Sequence, residues 1–100
     1  MIVVTGLFEI AAEDRDAAVK AAIQMMNETA KEEGCITYRF YSDIEHPTKF
    51  RVYEEWETDA HLAAHVKTPH MAVWRQALGG LKVLSRAVKK FEAGPEQALG

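Results

Sequence analysis

The sequence has few of the residues that mark specialised protein classes. Its 100 residues include one cysteine, Cys35, and no run of like charges. A single cysteine excludes an intrachain disulfide and any metal or iron–sulfur site that needs several thiolates. The 15 acidic and 12 basic residues are interspersed, so the surface lacks the positive footprint of a protein that binds nucleic acid or an anionic membrane. We expect neither nucleic acid nor membrane as a partner.

Long apolar runs and nucleotide-binding motifs are also missing. No apolar stretch approaches the ~18 residues that span a bilayer, and residues 1–9 have neither the basic segment nor the cleavage site of a secretory signal. The chain contains no glycine-rich phosphate loop, dinucleotide fingerprint or G-x-S-x-G elbow. We therefore expect a cytoplasmic protein without a bound nucleotide, a flavin in its usual fold or covalent serine chemistry.

The residues that are present predict one domain of alternating strands and helices. Apolar residues make up 48% of the chain, which is enough to form a core. Residue periodicity, threonine caps and glycine or proline breaks define the elements. The first element is a strand over 2–10 that is covered on both faces, and one helix follows over 13–33 with Gly34 as its C′ residue. Two strands over 35–44 and 49–57 then form a hairpin. A second helix begins at 59, breaks before Pro69 and ends at Gly79-Gly80, and a last strand covers 81–91.

This β-α-β-β-α-β order predicts an α+β, ferredoxin-like fold, with a four-stranded antiparallel sheet and both helices on one face. Residues 1–93 form the domain, and residues 94–100 are a flexible or partner-swapped tail. The strands carry apolar residues on both faces, so the face without helices needs a cover. We expect a homodimer whose sheets pack face to face as a dimeric α+β barrel.

Three of the four histidines lie within ten positions. His61 and His65 have the four-residue spacing of zinc proteases, but Leu62 replaces the required glutamate and no third ligand is evident, so no metal site is expected. His61 is interpreted as a solvated helix residue. His65 and His70 border the helix break, where a histidine beside an apolar space can transfer protons near neutral pH. Both are catalytic candidates, and a purely structural role stays open for each.

Glu54 is the third catalytic candidate. It shares one strand face with apolar residues, so it must be paired or protonated, and pairing with a histidine would orient the imidazole. Such a site suits an apolar or aromatic small molecule and proton transfer. The candidates for substrate binding, each of which core packing also explains, are Tyr38, Tyr53, Trp56, Met71 and Trp74.

An ordered set of short motifs resembles the antibiotic biosynthesis monooxygenase (ABM) domain family. The motifs are Glu33-Gly34-Cys35-Ile36-Thr37-Tyr38, His46-Pro47, Phe50 to Trp56 with Glu54-Glu55-Trp56, Ala60, His65 and Thr68-Pro69-His70. The resemblance covers residues 2 to about 92. It implies a dimeric ferredoxin-like fold with a small cavity between sheet and helices, and it places family positions on Glu54, Trp56, His65 and His70.

The resemblance implies oxygenation of a quinol, polyphenol or anthrone by O₂, with no flavin, haem or metal as cofactor. Removing a phenolic proton makes an electron-rich anion that can reduce O₂ directly. Haem-degrading members need an asparagine on the first strand, a tryptophan at the position of His65 and a histidine at the position of Arg75, and this chain has none of them. Two alternatives stay open: a non-catalytic dimeric module for small-ligand binding or stress response, and an isomerase that uses His65 as a proton shuttle.

Overall fold

The computed structural model describes residues 1–100 and contains four strands and three helices. The strands are β1 (Ile2–Ile10), β2 (Cys35–Ser42), β3 (Lys49–Trp56) and β4 (Val83–Glu92), and the helices are α1 (Arg15–Thr29), α2 (Asp59–Val66) and α3 (Pro69–Gly79).

The strands form one antiparallel sheet in the order β2-β3-β1-β4. The core lies between one face of this sheet and the helices, and it is built from Ile2, Val4, Phe8, Met25, Tyr38, Val52, Trp56 and Leu78. The α+β, ferredoxin-like fold predicted from the sequence is confirmed. No helix is long and apolar enough to cross a membrane.

Threonine caps begin both α2 and α3, and the second cap, Thr68, lies at the predicted break between the two helices. The Thr58 hydroxyl accepts a hydrogen bond from the His61 amide, and the Thr68 hydroxyl accepts one from the Met71 amide. Thr68 also donates to the carbonyl of His65, which ties the end of one helix to the start of the next. The break therefore places His65 in the last turn of α2 and His70 in the first turn of α3.

The first helix is shorter than the spacing of its apolar residues predicted. A 3₁₀ turn occupies Ala12–Asp14, and α1 ends at Thr29, its last buried residue, because the residues after Ala30, up to Gly34, are charged or glycine and have no apolar side chain to continue the buried face. Gly34 is therefore not the residue that ends the helix. It has φ +80° in the turn before β2, and a Cβ there would overlap the ring of His61.

Strands β2 and β3 end at Ser42 and Trp56, earlier than the predicted ends at 44 and 57. Strand β4 begins at Val83, later than the predicted start at 81. The sheet face without helices is uncovered in the single chain: Leu7 is 46% exposed there, so β1 is not buried on both faces as predicted. Tyr41 and Phe91 are also about half exposed on this face. Residues 93–100, which include the predicted tail, have neither helix nor strand.

Candidate active site

A cavity of about 580 Å³ opens between the sheet and the pair α2-α3. Its volume lies within the range of small-molecule sites, ~300–1,000 Å³. The residues that line it from the core side are mostly apolar or aromatic: Val4, Phe8, Tyr38, Phe40, Val52, Leu62, Met71, Trp74 and Leu78.

Aromatic rings form a continuous wall of this cavity. The ring of Phe40 lies 5.7 Å from Tyr38 and 5.1 Å from Trp74, measured between centroids, and Phe8 meets Trp74 edge-on at 6.3 Å. Such tilted and edge-on contacts leave ring faces and edges for a further aromatic group. The wall therefore suits a flat aromatic ligand.

The polar end of the site is organised by Glu32, in the turn after α1. One oxygen, Oε2, lies 2.6 Å from His65 Nδ1 and 2.7 Å from His70 Nε2. Because a carboxylate only accepts hydrogen bonds, both ring nitrogens must donate. The neutral His65 ring then carries its proton on Nδ1 and keeps a free lone pair on Nε2, which makes no hydrogen bond within the protein.

His65 is the histidine that faces the cavity. It is 3% exposed, and its ring packs 4.7 Å from that of Trp56 and 5.5 Å from that of Tyr38. Burial lowers the pKa of His65, and the hydrogen bond and charge of Glu32 offset part of that effect. The imidazole is therefore neutral at neutral pH, which is the form that accepts a proton.

Glu54 lies on β3 beneath the cavity and is 6% exposed. Its Oε1 accepts a hydrogen bond of 2.9 Å from Trp56 Nε1. Burial raises the pKa of Glu54 to about 7, against the hydrogen bond from Trp56, which lowers it. The sequence argument that Glu54 orients a histidine is wrong, because Glu54 pairs with Trp56 and Glu32 holds His65.

Tyr38 lies directly opposite Glu54 in the register of β2 and β3. Its hydroxyl makes no hydrogen bond within the protein, and the side chain lines the cavity. Burial and the nearby charges of Glu54 and Glu32 raise the pKa of Tyr38 far above its usual value. The phenol therefore stays protonated and can donate a hydrogen bond to a bound molecule.

Three predicted site residues do not line the cavity. Trp56 is fully buried behind His65, and His70 is bonded to Glu32 with its ring 5.9 Å from that of His65. Tyr53 points to the opposite face of the sheet, where its hydroxyl donates to Glu55 at 2.6 Å, because alternate residues of β3 face opposite sides. The predicted substrate residues that do line the cavity are Tyr38, Met71 and Trp74.

Glu32, His65 and His70 also offer three ligand atoms within 4.8 Å of one another, a set that contains His65 and His70 but not His61, which pairs with Thr58 instead. The distances describe hydrogen bonds. Two atoms bound to one tetrahedral zinc ion stand about 3 Å or more apart, given bonds of ~2 Å, whereas Glu32 Oε2 lies 2.6 and 2.7 Å from its partners. A metal ion would require the three side chains to separate.

Glu32 was missed in the sequence because it falls in the predicted long helix, 33 positions before His65. Its only local signal is its place two residues before Gly34, where the chain turns. The cavity also brings together basic residues from α3 and β4, notably Arg75 and Arg86, which no short motif connects.

The structure is that of a small α+β protein with a ferredoxin-like fold, whose cavity between sheet and helices has aromatic walls and a carboxylate-held histidine. Residues 1–77 match the family model of the antibiotic biosynthesis monooxygenases, and the chain belongs to that family.

A relative of known sequence agrees with this assignment, and solved structures share the fold. The chain is 31% identical to the Escherichia coli K12 protein named "Probable quinol monooxygenase YgiN" over 88 residues, which cover 80% of this chain and 84% of the relative. A solved structure from Deinococcus radiodurans superposes with a TM-score of 0.94 at 23% identity, covering 100% of this chain and 99% of the other. A Bacteroides thetaiotaomicron structure gives 0.85 at 29% identity, covering 92% and 96%.

Proposed function

We propose that this protein is a cofactor-independent monooxygenase that oxidises a small aromatic substrate of the quinol, polyphenol or anthrone type with O₂. Membership of the family supports a monooxygenase-type function. One observation carries the finer proposal: His65, held by Glu32 at 2.6 Å, presents an unpaired Nε2 to a cavity walled by aromatic rings.

In the proposed reaction, His65 Nε2 removes the phenolic proton of the substrate. The resulting anion transfers one electron to O₂, and the two radicals join to form a carbon–oxygen bond. Loss of water from the hydroperoxide leaves the oxygenated quinone, so that a quinol and O₂ give a hydroxyquinone and H₂O. The substrate supplies the electrons that reduce O₂.

The other polar groups of the cavity have supporting roles in this proposal. Glu54, with a pKa of about 7, provides a carboxyl group that can donate to a substrate or peroxide oxygen at neutral pH. Tyr38 donates a second hydrogen bond from the neighbouring strand. His70 acts through Glu32, as a positioning residue.

The proposal includes three expectations from the sequence: a homodimer, a cytoplasmic location and catalysis without a cofactor. The uncovered sheet face, with Leu7 and Phe91 about half exposed, supports the dimer because its apolar side chains would be buried by a second copy.

The test is oxygen consumption by the purified protein with a panel of hydroquinones and anthrones, measured in an oxygen electrode. If His65 is the base, His65→Ala should lower the rate by the ~10²–10⁴ typical of a lost general base. The matched control is His46→Ala, an exposed histidine in the β2–β3 turn, which should retain the wild-type rate.

Each alternative has its own outcome. Substrate conversion without oxygen uptake would identify an isomerase, and saturable binding with no conversion would identify a binding module. A His65→Ala protein that folds and turns over at the wild-type rate would contradict the role of His65.

A further inference from the structure

Positive charge is concentrated where the cavity meets solvent. Four basic residues line it, against the two acidic residues Glu54 and Asp59, although the whole chain has a net charge of −3. The basic residues are Arg75, Arg86, Lys89 and Lys90.

The basic side chains come from two sides of the opening. On β4, Arg86 lies opposite Phe8 and Lys90 lies opposite Val4, so both share the sheet face that forms the floor of the cavity. Arg75 comes from α3, one position after the cavity residue Trp74. A molecule with its aromatic ring against Trp74 would therefore have its outer end between α3 and β4.

The two arginines have no acidic partner. Lys90 is neutralised by Asp59, with 2.9 Å between Nζ and Oδ1. Arg75 donates only to the backbone carbonyl of Val66, at a long 3.3 Å, and Arg86 makes no side-chain hydrogen bond or ion pair. The guanidinium groups thus retain donors for an external anion.

We propose that Arg75 and Arg86 form an anion-binding subsite, which selects aromatic ligands that carry a carboxylate. A guanidinium group can bind a carboxylate through two parallel hydrogen bonds, and such charge-assisted bonds are about twice as strong as neutral ones. The ring of the ligand fills the aromatic part of the cavity while its carboxylate stays at the mouth. The claim that this ligand is the substrate rests on the proposed function; the claim that it binds does not.

The experiment compares naphthalene-2-carboxylate with its neutral analogue naphthalene-2-carboxamide. Binding to the intact protein is followed through tryptophan fluorescence, because Trp74 lines the cavity. The carboxylate should bind about tenfold more tightly, as expected for hydrogen bonds to a charged group. Raising the salt concentration should weaken binding of the carboxylate and leave the amide nearly unchanged.

Substitution of the two arginines tests whether the preference for the carboxylate comes from the proposed subsite. Arg86→Gln and Arg75→Gln should each remove most of the preference for the carboxylate, and Arg86→Lys should keep part of it. Lys20→Gln, which removes one positive charge from the exposed surface of α1, is the matched control and should retain the full preference.

Equal affinity of wild-type protein for the two probes would overturn the proposal, and this comparison needs no variant to fold. A preference that survives both arginine substitutions in folded protein would also overturn it. Because neither probe is a quinol, the result is independent of turnover: carboxylate selectivity without oxygen uptake on any quinol would leave the subsite standing and reject the monooxygenase proposal.

Discussion

At the scale of single residues, the site depends on one carboxylate oxygen shared by two histidines. Glu32 Oε2 accepts from both His65 and His70, so it determines which nitrogen of each ring carries the proton. It also favours the protonated form of His65, against the effect of burial. Glu32 is therefore a positioning residue whose loss should change a pH profile as well as a rate.

We predict that Glu32→Gln lowers kcat/KM for an accepted quinol by about tenfold or more, because a hydrogen bond to a charged group contributes ~1.5–3 kcal/mol. Glu32 raises the pKa of His65, so its removal should move the rising limb of the pH–rate profile to lower pH. Steady-state kinetics across pH 5–9 measures both effects. Glu28→Gln, on the exposed side of α1, should change neither.

The buried carboxyl group of Glu54 leads to a separate prediction about stability. Its pKa is about 7 in the folded protein and 4.5 in a solvated chain, so the folded state holds the proton more tightly. Its contribution to the free energy of unfolding is therefore complete below pH 4.5 and is lost as the pH rises to about 7. In Glu54→Gln, which has no titratable group at this position, the free energy of unfolding should no longer decrease for this reason as the pH rises.

Urea unfolding of wild type and Glu54→Gln at a series of pH values between 4 and 8 tests that prediction. The difference in unfolding free energy between the two proteins should change across this range and level off above pH 7. Glu57→Gln, at an exposed position, is the control. A difference that is independent of pH would show that burial does not shift the pKa of Glu54.

At the scale of elements, the turn between α1 and β2 positions the carboxylate of Glu32. Gly34 has φ +80°, and its Cα lies against the ring of His61 on α2, where a side chain would overlap that ring. The backbone amide of Glu57 donates to the carbonyl of Gly34, which ties the turn to the end of β3. Glu32 reaches the α2–α3 break because this turn passes so close to α2.

We predict that Gly34→Ala destabilises the protein by at least ~1 kcal/mol, since it combines an unfavourable φ with a steric overlap. Gly79→Ala, which meets no neighbour within 4 Å at the end of α3, should be neutral or slightly stabilising. In the background of His61→Ala, the overlap is absent and the effect of Gly34→Ala should shrink to the backbone part. Chemical denaturation of wild type, the three single variants and the Gly34→Ala/His61→Ala double variant measures these differences.

At the scale of the whole molecule, one sheet face is left without helices. It carries Leu7, Tyr41 and Phe91, each about half exposed, among charged residues of β2, β3 and β4. This mixture of apolar and charged side chains is compatible with an interface whose centre is apolar and whose edge is polar.

We predict a homodimer with about twice the 11.2 kDa mass of the chain. Leu7→Lys should shift sedimentation toward the monomer, because it places a charge in the centre of the buried face. Ile44→Lys, at a 99% exposed apolar residue in the β2–β3 turn, should leave the dimer intact. A single ~11 kDa species of wild-type protein at micromolar concentration would refute the dimer.

The sequence alone determined the order of the elements, the helix break and the fold class. Periodicity and capping are local, and the residues that encode them, such as Thr58, Thr68 and Pro69, act on their immediate neighbours. The same local reasoning placed Gly34 and the end of α1 incorrectly, because both depend on contact with the sheet and with His61.

Only the tertiary structure decided which side chains form the site. Strand alternation put Glu54 and Trp56 on one face and Tyr53 on the other, but it did not show that Glu54 would pair with Trp56. The link from Glu32 to His65 joins residues 33 positions apart, and Arg75 of α3 and Arg86 of β4 line the same cavity. Such contacts follow from packing, which brings distant segments together in space, and a single sequence carries no local signal of them.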